Sequence, residues 1–129
     1  MNSPTQLFTI LLAEDEPVNQ EVSRGLLEDV GLAVDVAEDG AVAVALAKRN
    51  RYALILMDMQ MPKLNGLDAT RQVRTLPGYE HTPILAMTAN AFGEDRQICL
   101  DAGMNDHIAK PVEPERLYET LIKWLKTSQ

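Results

Sequence analysis

The sequence predicts an α/β fold: a doubly wound parallel sheet of five strands with five helices, in three layers. Three observations predict it. Five short apolar runs recur along the chain, each is followed by a stretch with helical spacing, and the third and fourth runs show no polar alternation. A strand covered on one face alternates apolar and polar residues. Uniformly apolar runs therefore mark strands covered on both faces, the condition of parallel strands joined by right-handed helical crossovers.

FTILLA, Phe8 to Ala13, reads as the first strand and ends abruptly in Glu14, Asp15, Glu16 and Pro17. Pro17 suits the first turn of a helix, and Val18, Val22, Leu26 and Val30 recur every four residues as its apolar row until Gly31 stops them. LAVDVA is the second strand, and Asp39 and Gly40 open an Ala/Val-rich helix over Ala41 to Lys48. YALILM is the third strand. It delivers Asp58 into a loop shaped by Pro62, Asn65 and Gly66, with a helix over Leu67 to Arg74 beyond.

TPILAM, Thr82 to Met87, is the fourth strand, and the helix Glu94 to Ala102 is closed by Gly103. DHIAK is a modest fifth strand. The last helix has Glu113 as cap and Pro114 in its first turn, and presents Leu117, Leu121, Ile122 and Leu125 to the sheet.

A chain of 129 residues, 46% of them hydrophobic, fills one core, and no linker, repeat or low-complexity segment divides it. The expectation is one domain over residues 1–129, with its core at about 7–125. Nineteen acidic residues against twelve basic ones give a net charge of -7, which argues against a nucleic-acid or anionic-membrane surface. No apolar run approaches the ~18 residues a bilayer needs, and the N-terminal stretch lacks a basic leader with a long apolar centre. A cytoplasmic location is expected. Cys99, the single cysteine, excludes an internal disulfide and a cysteine-based metal site, and reads as a small buried hydrophobe on a helix.

In a doubly wound sheet, ligands bind at the carboxyl ends of the strands. Glu14 and Asp15 stand at the first exit, Asp58 at the third, Thr88 and Ala89 at the fourth, and Lys110 and Pro111 at the fifth. Each has an ordinary explanation alone: a helix cap, a strand-end hydroxyl, a solvated charge. Asp58 has the weakest one, because a lone aspartate adds nothing to the packing of a bulky apolar strand. Together, carboxylates crowded into one crevice take up protons unless a cation joins them. Three acids with no histidine or cysteine nearby suit magnesium better than zinc. A metal, an ammonium and a hydroxyl around one carboxylate are the parts needed to move a phosphoryl group onto that carboxylate.

LLAEDEPVNQEV, LILMDMQMPKLNGLDATRQVR, PILAMTANAF and CLDAGMNDHIAKPVEPERL, in this order over roughly Leu7 to Leu125, resemble the response-regulator receiver domains of two-component signalling. The resemblance implies the CheY-like, flavodoxin-like strand order 2-1-3-4-5. It also implies a magnesium ion, or manganese in its place, held by Glu14, Asp15, Asp58 and the backbone carbonyl of Gln60. Asp58 would be the phosphoacceptor, Lys110 a phosphoryl contact, Thr88 the hydroxyl that follows the phosphoryl group, and the Lys110 to Pro111 peptide bond cis. His107 stands where the family usually has a tyrosine or phenylalanine switch residue, and the acidic pair is Glu-Asp where Asp-Asp is commoner.

The wording is most like the receivers of hybrid sensor histidine kinases. The implied partner is then a histidine kinase or a histidine phosphotransfer domain, and the switched face is the fourth helix, fifth strand and fifth helix. A stand-alone single-domain regulator is the alternative. No DNA-binding output domain is expected in this chain, and a receiver catalyses its own phosphorylation without being a turnover enzyme.

Three other readings fit less well. A phosphatase resembling the haloacid-dehalogenase family needs a second aspartate two residues after the first, where this chain has Gln60. A flavin module needs a Gly/Ser/Thr-rich phosphate loop after the first strand, where this chain has AEDEPVNQ. A degenerate receiver acting only as an interaction module is disfavoured by the intact Asp58, Thr88 and Lys110.

Overall fold

The five apolar runs form one parallel sheet in the order β2-β1-β3-β4-β5. A computed structural model describes residues 8–59, 61, 63–89 and 94–127. The elements are β1 (Thr9–Ala13), α1 (Pro17–Asp29), β2 (Ala33–Ala37), α2 (Gly40–Arg49), β3 (Leu54–Asp58), α3 (Gly66–Arg74), β4 (Ile84–Thr88), α4 (Glu94–Ala102), β5 (Asp106–Ala109) and α5 (Pro114–Thr127). The expected elements are all present, with boundaries moved by one or two residues.

The central strands explain their own composition. Side chains alternate across a strand, so Ile10, Leu12, Leu54, Leu56, Leu85 and Met87 pack with Leu27 of α1 and with Leu117 and Leu121 of α5. Their neighbours Leu11, Ala13, Ile55, Met57, Ile84 and Ala86 pack with residues of α2, α3 and α4. Two cores on one sheet leave β3 and β4 no solvent face, and all five residues of each are buried. Cys99 is buried in the core on the α4 side.

Two helices differ from the expectation. In α1 and at its C-cap Val30 the valine row faces outward, with Val18 65%, Val22 50% and Val30 50% exposed, while Ser23 and Leu27 turn inward. At 3.6 residues per turn, a row repeating every fourth residue drifts about 40° per step, so four such residues cannot share one buried face. In α5, Leu117 and Leu121 are buried and Leu125 partly so, but Ile122 is 60% exposed because it sits one residue round from Leu121.

Local chemistry places the helix starts. Glu16 caps α1 by accepting from the Asn19 N–H at 3.0 Å, Asp39 caps α2 by accepting from Val42 at 2.9 Å, and Asn65 caps α3 by accepting from Asp68 at 2.9 Å. Between α3 and β5, the Arg74 guanidinium donates to the carbonyls of Tyr79, Thr82 and Gly103 and to the Asn105 side chain. This clamp ties the end of α3 to the starts of β4 and β5. No described helix is long and apolar enough to cross a membrane.

Candidate functional site

Parallel register brings the strand exits to one edge. Asp58 lies opposite Met87, Thr88 opposite Ala109, and Ala13 opposite both Ala37 and Met57. The residues just past these positions line a cleft of about 440 Å³ that includes Glu14, Asp15, Asp58, Thr88 and Lys110. Five of the residues expected at the site from sequence thus share one cavity.

Their environments differ. Glu14 and Asp58 are buried, at 1% and 4% exposure, Thr88 is at 7%, and Asp15 is exposed. One oxygen from each of Glu14, Asp15 and Asp58 lies within 4.8 Å of the others. Lys110 enters between two of them: its Nζ donates to Asp58 Oδ2 at 2.6 Å and lies 3.2 Å from Glu14 Oε1. The Lys110 to Pro111 peptide bond is cis, and the Lys110 N–H donates to the Thr88 carbonyl at 2.8 Å, continuing the ladder beyond β5.

Burial raises the Glu14 carboxyl above its ordinary value. The Glu16 N–H opposes that rise, the Asp58 charge adds to it, and Lys110 partly offsets it. Burial alone would lower the Lys110 ammonium, but the hydrogen bond and charge of Asp58, with those of Glu14, raise it above the usual lysine value. The ammonium therefore stays charged at neutral pH, in contact with the two buried carboxylates. Three oxygen donors of this kind, two of them buried, fit a hard divalent cation.

Gln60, expected to offer its carbonyl, lies outside the described residues, as does Pro62. His107 is not among the cleft residues. It sits half-buried opposite Ala86 on β5, beside Arg96, Cys99 and Leu100 of α4, with Nδ1 3.7 Å from Asp106 Oδ1. Residues not singled out from sequence complete the cleft. Asn19 and Met59 line it, and Gln20 Nε2 donates to the Glu14 carbonyl at 2.6 Å, pinning the turn after β1. Their signal was present: Asn19 and Gln20 occupy the first two turns of a helix that begins next to the acidic pair.

Residues 10–122 match the response regulator receiver domain family, and the chain belongs to that family. Among its relatives, the signal transduction histidine-protein kinase BarA of Escherichia coli is 39% identical over 117 residues, covering 91% of this chain and 13% of BarA. The transcription factor SKN7 of Saccharomyces cerevisiae is 40% identical over 119 residues, 92% of this chain and 19% of SKN7. The chain therefore spans a small part of the curated relatives it matches. Among solved structures, the receiver domain of the sensor histidine kinase PA1611 from Pseudomonas aeruginosa is 45% identical, with a TM-score of 0.87 over 93% of this chain and 98% of that one. That structure has a magnesium ion coordinated in the active site cleft.

Proposed function

We propose that the chain is a receiver unit that accepts a phosphoryl group on Asp58 from a phosphohistidine in a protein partner. The observation that carries this reading is the buried Asp58 carboxylate, held at 2.6 Å by Lys110 and within 4.8 Å of two further carboxylates.

A carboxylate oxygen of Asp58 attacks phosphorus, forming an O–P bond as the P–N bond to the donor imidazole breaks. The bonding pair leaves with the imidazole nitrogen, which takes up a proton. Lys110, already hydrogen-bonded to Asp58, offers its ammonium to the phosphoryl oxygens as their charge develops. Glu14, Asp15 and Asp58 would hold Mg2+, or Mn2+ in its place, whose charge when bound neutralises the same oxygens. Thr88, at the neighbouring strand exit and lining the same cleft, would donate its hydroxyl to the new phosphate. That contact would carry the change to β5, α4 and α5. His107 adjoins α4 in this path, which supports a part for it in the response.

The donor is proposed to be a histidine kinase or a histidine phosphotransfer domain. Val18 and Val22 support a macromolecular donor: they are exposed on α1 beside Asn19, which lines the cleft, and so offer an apolar landing next to the acceptor. The likeness to BarA and to the PA1611 receiver supports the receiver of a hybrid sensor kinase, working in the cytoplasm, as the parent context. The test is transfer from a panel of phosphorylated histidine phosphotransfer domains. The chain takes label from at least one, and an Asp58→Asn variant takes none; equal labelling of that variant would overturn the proposal.

A further inference from the structure

We propose that Asp39, Gly40 and Lys63, none of which lines the cleft, are positioning residues that set the main chain beyond Asp58 for magnesium binding. The inference rests on the reading of Glu14, Asp15 and Asp58 as a metal site.

Both ends of the connection from β3 to α3 are seated without slack. At its far end, a Cβ on Gly66 would lie 2.0 Å from the Asp58 carbonyl oxygen, and the Gly66 N–H donates to the Met59 carbonyl at 3.1 Å. The main chain of the acceptor residue is therefore pressed against the first residue of α3. Two residues earlier the same connection rests on α2, where a Cβ on Gly40 would lie 1.9 Å from the Leu64 carbonyl oxygen. Any side chain at Gly40 pushes Leu64 away, and residues 64 to 66 transmit the push to Asp58 and Met59.

Immediately before Leu64 stands Lys63. Among the described residues it is the only non-glycine with positive φ, at 67°. A long side chain in the left-handed region is strained and persists only where its surroundings hold it. The charged group that faces it is Asp39. Its Oδ1 caps α2, and its Oδ2 faces Lys63 Nζ at 3.7 Å from a side chain only 4% exposed. The pair is long and the Lys63 side chain is 73% exposed, so it adds little to overall stability. A weak pair on a strained residue in the loop that leaves the acceptor points to placement of that loop. Magnesium tolerates little deviation from octahedral geometry, so a shift of a few tenths of an ångström at Asp58 is felt in its affinity.

The experiment measures the Mg2+ dissociation constant by isothermal titration calorimetry, with metal-free amide chemical shifts of Met59 and Gly66 as a second readout. Gly40→Ala, and Lys63→Val, whose branched Cβ cannot hold the left-handed turn, each weaken binding roughly tenfold and move both amide signals. Asp39→Asn keeps a capping side chain but removes the charge facing Lys63, and it also weakens binding. Adding Lys63→Gly, which adopts the turn without strain, restores it. If Gly40→Ala does not fold, the exposed Lys63 position decides alone. Folded Lys63→Val and Asp39→Asn proteins that bind Mg2+ like the parent would overturn the inference while leaving the site reading intact. A parent that binds no Mg2+ would overturn both.

Discussion

Lys110 Nζ reaches Asp58 Oδ2 at 2.6 Å although β4 lies between their strands. The lysine extends from the end of β5 over the exit of β4 to meet the acid on β3. Lys110→Met keeps much of the side chain's bulk but removes the ammonium, and slows Asp58 labelling by acetyl phosphate roughly 100-fold, the loss typical of one charge-stabilising donor. Lys110→Arg does not restore the rate, because a planar fork cannot fill the place of a compact point charge. Intact-mass kinetics at saturating Mg2+ measure both.

Magnesium is expected to stabilise the fold through Glu14. The folded state raises the Glu14 carboxyl above 4.5, chiefly by burial. Without metal, its contribution is therefore fully present below pH 4.5 and is lost as pH rises through the folded value. Glu14→Gln removes that loss, so the metal-free variant melts a few degrees above the parent near neutral pH. Added Mg2+ at a hundred times its dissociation constant stabilises the parent by about 2.7 kcal/mol and the variant far less. Thermal melts with and without Mg2+ check this.

The exposed valines of α1 separate the two routes to Asp58. Val18→Lys and Val22→Lys leave labelling by acetyl phosphate unchanged, because neither side chain lines the cleft. Transfer from a phosphorylated histidine phosphotransfer domain falls about tenfold or more, the loss of a central apolar anchor. Stopped transfer reactions with each donor make the comparison.

Tyr52 and Tyr79 set the alkaline limit. Tyr52 Oη donates to Asp35 Oδ2 at 2.7 Å, and burial, then that bond and the Asp35 charge, hold its phenol above the ordinary 10.0. Burial raises Tyr79 as well. Their contribution is fully present below pH 10.0 and falls as pH climbs from there toward the raised folded values. Urea unfolding between pH 9 and 11 shows stability falling with pH. Tyr52→Phe costs about 1 kcal/mol at pH 8 and makes the fall shallower.

The sheet was legible because covering both faces leaves its central strands no polar position. Once Leu54 to Met57 read as a buried strand, Asp58 had to stand at an exit, and the parallel order placed Glu14, Thr88 and Lys110 beside it. Features set by angle or by backbone partners were not legible. The Val18, Val22, Val30 row looks buried in one dimension and drifts into solvent in three. Arg74 spends its donors on the carbonyls of Tyr79, Thr82 and Gly103, which exist at every residue and leave no mark in composition. The left-handed turn at Lys63 is equally silent, since lysine ordinarily avoids it.

The central claim, that Asp58 is the acceptor, is tested most directly by mapping the label. Incubation with acetyl phosphate and Mg2+, borohydride reduction of the acyl phosphate and peptide sequencing by mass spectrometry should convert Asp58 alone. Conversion that needs no divalent cation, that falls on Asp15 or Glu14, or that persists at another residue in Asp58→Asn at the parent's rate would contradict it.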